Sequence, residues 1–128
     1  MVNAVPDTGR RTRGSRKQHR EEPDPLAAKV GARIRQLRDE CEISFDAFVE
    51  EAEIGRGHLS ELERGLVVPT LSTLAKLARA LEIELLDLLT FPEDSPRQAA
   101  VDLTRQLPQA QIRALLRDLT KFAKDRSR

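Results

Sequence analysis

The stretch that decides the fold runs from Ser44 to Gly65 and reads SFDAFVEEAEIGRGHLSELERG. It predicts two short helices, separated by a turn that glycines bracket at 55 and 57. Ser44 suits the N-cap of the first helix, since its hydroxyl can accept an N–H of the opening turn. Leu59 and Leu62 mark the inner side of the second helix, and Gly65 suits a left-handed residue at its end. Two short helices joined by a tight turn indicate a helix-turn-helix motif.

Helical spacing of apolar residues predicts three more helices around this motif. Pro25 suits a first helical turn. Apolar residues recur at helical spacing from Leu26 to Cys41, and we expect Cys41 to be a small, buried apolar residue. A fourth helix is predicted from Pro69–Thr70, with Leu71 and the leucines after it facing inwards, and a short fifth helix covers about 84–90. No alternating strand pattern occurs. We therefore predict an all-α, five-helix helix-turn-helix domain over residues 25–92.

A C-terminal helical segment is predicted over residues 96–126, after a polar break. It contains one helix over about 96–106 and another from Pro108 to about Lys124. The second helix carries an apolar row with basic residues on its polar side, so a cap on the core or a surface helix on acidic lipid is conceivable. A dimer interface is favoured, because helix-turn-helix proteins usually read two half-sites as dimers. The predicted dimerisation residues are Ile112, Leu115, Leu116, Leu119 and Phe122.

Charge is distributed unevenly along the chain, although the net charge is only +1. Residues 1–20 carry six basic side chains and one acidic side chain. Residues 21–95 carry eight basic and seventeen acidic side chains, and residues 96–128 carry eight basic and three acidic ones. Residues 1–24 have almost no apolar side chains, so we predict a disordered basic N-terminal arm. Two readings of the arm stay open: it contacts DNA phosphates or the minor groove, or it only keeps the protein in solution.

The composition argues against an enzyme, a metalloprotein and a membrane protein. Cys41 is the only cysteine, and His19 and His58 are the only histidines. These are too few for an intrachain disulfide, a standard zinc site or a nucleophile–histidine catalytic set. There is no glycine-rich phosphate loop, and we expect no cofactor and no metal. No apolar run approaches the roughly 20 residues that span a membrane. The Arg10–Arg11 pair is not followed by an apolar stretch, so we expect no secretory signal and a cytoplasmic location.

Several blocks of the sequence, at their fixed spacing, resemble one family. They are Val30–Arg38 (VGARIRQLR), Ile54–Gly65 (IGRGHLSELERG), Pro69–Leu74 (PTLSTL) and Leu77–Leu81 (LARAL). The region of about 27–91 that contains them resembles the Cro and phage-repressor-like, or Xre, family of helix-turn-helix transcriptional regulators.

This resemblance implies a sequence-specific DNA-binding regulator, a dimeric repressor that reads a pseudo-palindromic operator in double-stranded DNA. The third helix would enter the major groove with its N-terminal residues at the base edges. The resemblance also implies an ion pair between Arg38 and Glu63 that fixes the recognition helix on the first helix. The implied DNA-binding residues are Ser44, Phe45, Arg56, Gly57, His58, Ser60, Glu61 and Arg64.

Three positions differ from the pattern of the family, and at one of them Val49 replaces the usual alanine of the helix–helix contact. Phe45 replaces the usual glutamine, which bonds a phosphate, and a phenyl ring cannot form that bond. Glu53 replaces the usual turn glycine, so a left-handed conformation there would cost about 1–2 kcal/mol. A phenylalanine exposed on the DNA side would suit a protein contact, which leaves a second reading open. In that reading the chain is a degenerate helix-turn-helix that acts as a protein-interaction module, either an adaptor or antitoxin-like.

Overall fold

The computed structural model describes residues 24–127, and this part of the chain contains helices and turns but no strand. The prediction of an all-α fold, with a five-helix domain followed by further helices, is confirmed. None of the helices in the described range is both long and apolar enough to cross a membrane. The helices are α1 (Pro25–Glu40), α2 (Phe45–Ala52), α3 (Arg56–Glu63), α4 (Leu71–Ala80), α5 (Leu85–Leu88), α6 (Pro96–Thr104) and α7 (Gln109–Ser127).

Side-chain caps set where most of these helices begin. Asp24 accepts hydrogen bonds from the backbone N–H groups of Leu26 and Ala27, at 2.8 and 3.1 Å. The hydroxyls of Ser44, Thr70 and Ser95 each accept one from the residue three positions later, at 3.1 Å. Each bond satisfies an N–H that has no partner within its helix. Because Thr70 acts as the cap, α4 begins at Leu71 and not at the predicted Pro69–Thr70.

Four helix ends in the first five helices share one backbone arrangement. Glu42, Glu53, Glu82 and Gly65 have positive φ, between 55° and 74°. At each of them the N–H bonds to a carbonyl three residues back, and the next N–H reaches a carbonyl five residues back. That next residue is isoleucine at three of the ends and leucine at the fourth. This is the Schellman type of helix end, in which a left-handed residue turns the chain and an apolar residue follows it.

The first five helices close around one apolar core. Its fully enclosed side chains come from every one of these helices, and the predicted inner residues Leu59 and Leu62 are among them. Gly31 lets α1 approach α3 closely, since a Cβ there would lie 2.2 Å from the carbonyl oxygen of Leu62. The largest fully buried side chains are Phe48, Ile34, Leu37, Leu59, Leu62, Leu77 and Leu88.

Three residues expected on the inner side of a helix are exposed. Cys41 is exposed, because it caps α1 after the last buried turn, and its Sγ lies 3.9 Å from the carbonyl oxygen of Leu81. Leu71 is 71% exposed and Leu26 is 62% exposed. Both lie in the opening turn of a helix, at its first or second position, where the helix extends beyond the core. The prediction that Cys41 is buried was therefore wrong.

The described chain divides into two compact units, one ending at Leu89 and the other beginning at Thr90. In the second unit, the side-chain oxygen of Gln98 accepts the N–H of Phe91 at 2.8 Å, which ties α6 to the segment before it. Arg105 pairs with Asp102 at 3.0 Å near the end of α6. The predicted basic arm, apart from Asp24, lies outside the described residues.

Candidate nucleic-acid interface

The turn between α2 and α3 fixes the angle between these two helices. Glu53, at the position where the family usually has glycine, ends α2 in the left-handed conformation, with φ 55° and ψ 46°. Ile54 is half-buried, and Gly55 opens α3 in an extended conformation without a side-chain cap. Leu59 and Leu62 are 0% and 1% exposed, so one side of α3 is committed to the core. The opposite side of α3 is thereby presented outwards.

The outward side of α3 carries the residues expected to meet bases. Arg56, Gly57 and His58 in its first turn are exposed, while Ser60 and Glu61 are half-buried. A Cβ added at Gly57 would meet nothing within 4 Å. Just after the helix, exposed Arg64 donates from Nε to the carbonyl oxygen of Ser60 at 3.3 Å. The expected residues of α3 therefore lie on its side away from the core, and the N-terminal turn of the helix is exposed.

Arg38 and Glu63 join α1 to the C-terminal end of α3. Nε of Arg38 donates to Oε2 of Glu63 at 2.8 Å, and Nη2 donates to Oε1 at 3.2 Å. Their side chains are 13% and 9% exposed. A third bond runs from Nη1 of Arg38 to the carbonyl oxygen of Ile43 at 3.3 Å. The hydrogen bond to Glu63 raises the pKa of Arg38 above its ordinary value. This bidentate pair holds α3 on α1.

Two guanidinium groups lie close to the ring of Phe45. The half-buried ring has Arg38 over it at 5.9 Å and Arg56 at 5.3 Å from the ring centroid. A cation within about 6 Å of an aromatic face is attracted by the ring quadrupole. Arg56 also forms an ion pair with Asp46, the next residue of α2. Phe45 is thus covered by the protein's own arginines.

The partner of Arg56 was missed by reasoning from the sequence. Asp46 and Arg56 are ten residues apart in different helices, so neither helical nor strand periodicity relates them. The turn after α2 brings them together, and only the folded turn shows this. Ser44, one residue before Phe45, is exposed, and its Oγ accepts the N–H of Ala47 at the positive end of α2.

The predicted dimerisation row lies along α7 and is largely open to solvent. Ile112, nearest the start of the helix, is half-buried, and exposure is greatest at Phe122, at 70%. Between them Leu115, Leu116 and Leu119 are 38%, 61% and 54% exposed. Basic side chains line the adjoining face. Among the described residues, no three His, Cys, Asp or Glu side chains are grouped so that they could hold a metal ion.

A comparison with protein families matches a helix-turn-helix domain to residues 29–90. The immunity repressor protein of Bacillus phage phi105 is 38% identical over 55 residues, which cover 43% of this chain and 38% of that protein. The chain therefore spans well under half the length of this curated relative.

Solved structures that are similar to the chain include the following two. The restriction-modification controller protein C.AhdI from Aeromonas hydrophila is 32% identical, with a TM-score of 0.47, over 48% of this chain and 94% of that chain. A chain of the SinR protein/SinI protein complex is 29% identical, with a TM-score of 0.54, over 75% of this chain and 98% of that chain.

Proposed function

Because the chain belongs to the Cro and phage-repressor-like family of helix-turn-helix regulators, we propose that it is a dimeric transcriptional repressor that reads a pseudo-palindromic operator through α3. The observation that carries this proposal is the two-sided nature of α3. One side is enclosed in the core at Leu59 and Leu62, and the other presents an uncovered first turn. The similarity to a phage immunity repressor supports repression over activation.

The residues of α3 have side chains suited to base edges. Arg56 can form two parallel hydrogen bonds with a guanine, and Ser60 can bond several bases. Glu61 can accept from a cytosine amine. Arg64, near the end of α3, and Ser44, at the start of α2, are both exposed. We expect them to contact the backbone phosphates that position the helix.

Charge limits how the domain is attracted to DNA. Residues 24–89 carry eight basic side chains and thirteen acidic ones. A domain with this balance gains little from phosphates in general, so most of the long-range attraction falls to the basic arm and to α7. Specific binding then depends on a few well-placed contacts from α3 more than on net charge.

The protein-interaction alternative rested on an exposed Phe45. In the structure this ring is half-buried beneath Arg38 and Arg56, so it offers a partner protein little open apolar surface. The repressor proposal is therefore favoured, and the alternative becomes one outcome of its test.

Binding to DNA tests the proposal directly. The full chain is used to select duplexes from a random library, and its affinity is then measured for a selected operator and for a random duplex. We expect Arg56→Ala to cost about 1–3 kcal/mol on the operator and to relax preference at one base pair. Arg79→Ala removes an equal charge from an exposed position of α4 and serves as the matched control. Equal affinity of the unchanged chain for both duplexes would favour the protein-interaction module instead.

A further inference from the structure

Arg56 is held on the protein by two neighbours from α2. Its Nη1 forms an ion pair with Oδ1 of Asp46, and its guanidinium carbon lies 5.3 Å from the centroid of the Phe45 ring. The side chains of Arg56 and Asp46 are 65% and 74% exposed, so the pair lies at the surface. This is the surface that the proposed function places against DNA.

We propose that Asp46 is a specificity-determining positioning residue, which orients Arg56 so that its remaining N–H groups meet one base pair, with Phe45 as the platform beneath. This inference rests on the proposed function, in which α3 reads DNA. It adds two residues outside α3 that act on the base through Arg56 and do not touch the base themselves.

The chemistry of the guanidinium group supports this role. The group is planar and carries five N–H donors in a fixed fork, and the bond to Asp46 uses Nη1. Further in-plane donors stay available, and two parallel bonds to a guanine need that plane to be correctly set. A long arginine side chain has many rotamers, so a partner that fixes it beforehand lowers the ordering cost of binding.

Asp46 and Phe45 also disfavour the competing contact. A carboxylate beside Arg56 repels nearby phosphate, and a phenyl ring offers phosphate no hydrogen bond. Contacts of Arg56 with base edges are therefore favoured over contacts with phosphate, and Arg56 contributes little to binding at random sequence. Without Asp46 the guanidinium could swing to the backbone, which carries no sequence information directly.

Asp46→Ala in the full chain, compared with Glu50→Ala, tests this role. Both changes remove one negative charge from an exposed position of α2, but only Asp46 contacts Arg56. Both should raise affinity for random duplex about twofold through weaker repulsion, and Asp46→Ala should raise it further, because the released Arg56 can then reach a phosphate. Only Asp46→Ala should lower operator affinity, about five- to tenfold. At the base pair that Arg56 reads, the unchanged chain should prefer the correct base over the others by about tenfold or more, and Asp46→Ala should reduce this preference. Asp46→Asn, which keeps the shape of the side chain, should give an intermediate loss.

A second background shows whether the effect passes through Arg56. When Arg56 is already alanine, Asp46→Ala and Glu50→Ala should change affinity for each duplex alike. Preference at the other operator base pairs should stay unchanged in every variant, whereas a general loss of domain structure would weaken all of them. A loss of preference spread over the whole operator would therefore overturn the inference.

A measurement without DNA tests the platform. Protons of the Arg56 side chain should show an upfield ring-current shift in solution NMR, which Phe45→Leu removes and Phe45→Tyr retains. Absence of that shift in the unchanged protein would overturn the role of Phe45. If the unchanged chain discriminates between duplexes while Asp46→Ala and Glu50→Ala behave alike, the inference fails and the proposed function stands. If the unchanged chain does not discriminate, both fail.

Discussion

At the scale of single residues, the pair of Arg38 and Glu63 carries the most weight, because both partners are largely removed from water. An exposed ion pair such as that of Arg56 contributes about 0–1 kcal/mol, since water and salt screen it. A shielded pair is different. Removal of one partner leaves the other charged, poorly hydrated and unpaired. Glu63 would be in that position at the end of the helix that is proposed to read DNA.

Arg38→Ala should therefore lower the free energy of unfolding by about 3 kcal/mol. Arg35→Ala, at an exposed position of the same helix, is the matched control and should change it by less than about 0.5 kcal/mol. Urea unfolding followed by circular dichroism measures both. Similar losses for the two variants would mean that the Glu63 carboxylate finds adequate hydration or another donor.

At the scale of helices, three of the four Schellman ends place glutamate where glycine is the unstrained residue. The left-handed conformation costs an L-residue about 1–2 kcal/mol. Glu53→Gly removes that strain but frees the unfolded chain, so we expect a net gain of about 0.5–1 kcal/mol. Glu51→Gly, inside α2, should instead lose about 1 kcal/mol. Thermal unfolding of the two variants compares them, and a loss from Glu53→Gly would refute the strain argument.

The contact between α1 and α3 gives a second prediction at this scale. A methyl group at Gly31 would lie 2.2 Å from the carbonyl oxygen of Leu62 and 2.9 Å from that of Glu63, both backbone atoms. Gly31→Ala should thus push the helices apart and cost about 1–3 kcal/mol, despite alanine's higher helix propensity. Gly57→Ala, where nothing lies within 4 Å, should be neutral or stabilising. Equal effects on the denaturation midpoint would contradict this.

Local signals in the sequence predicted more of the fold than long-range signals did. The Ser44 cap, the burial of Leu59 and the left-handed end at Gly65 each depend on neighbours within one or two turns, which periodicity captures. The exposure of Cys41 and Leu71 depends on where the core ends, and spacing along one helix does not contain that information. The contact between Asp46 and Arg56 likewise depends on the angle set by a turn.

At the scale of the whole molecule, the apolar row of α7 is exposed over most of its length. Burial of an exposed leucine or phenylalanine is worth about 1.5–3 kcal/mol, so the row can drive association with a second copy. Phe122→Lys combined with Leu119→Lys should convert the proposed dimer to a monomer without unfolding the chain, because both residues are more than half exposed. Gln111→Lys adds a positive charge to another exposed position of α7 and serves as control. Sedimentation equilibrium measures the mass of each variant. If the double substitution leaves the mass unchanged, α7 does not form the dimer interface.

The basic arm gives the second prediction for the whole molecule. Residues 1–20 carry six basic side chains, and each phosphate that is neutralised contributes about −0.9 to the slope of log affinity against log salt. Removal of residues 1–20 should flatten that slope by up to about five and weaken operator and random duplexes alike. Affinity for the operator and for a random duplex is measured against salt concentration for the full chain and for the chain without residues 1–20. Identical slopes would assign the arm to solubility.

The exposed first turn of α3 offers positions for redesign of the proposed operator preference. Leu59 and Leu62 pack α3 against the core, and Glu63 pairs with Arg38 of α1. The exposed first turn of α3 contributes little to the stability of the fold. A combinatorial library at the exposed positions 57 and 58 should therefore yield mostly folded proteins. Position 56 is the exception, because its side chain is matched to α2. New preferences there should arise only when positions 45 and 46 are randomised together with it.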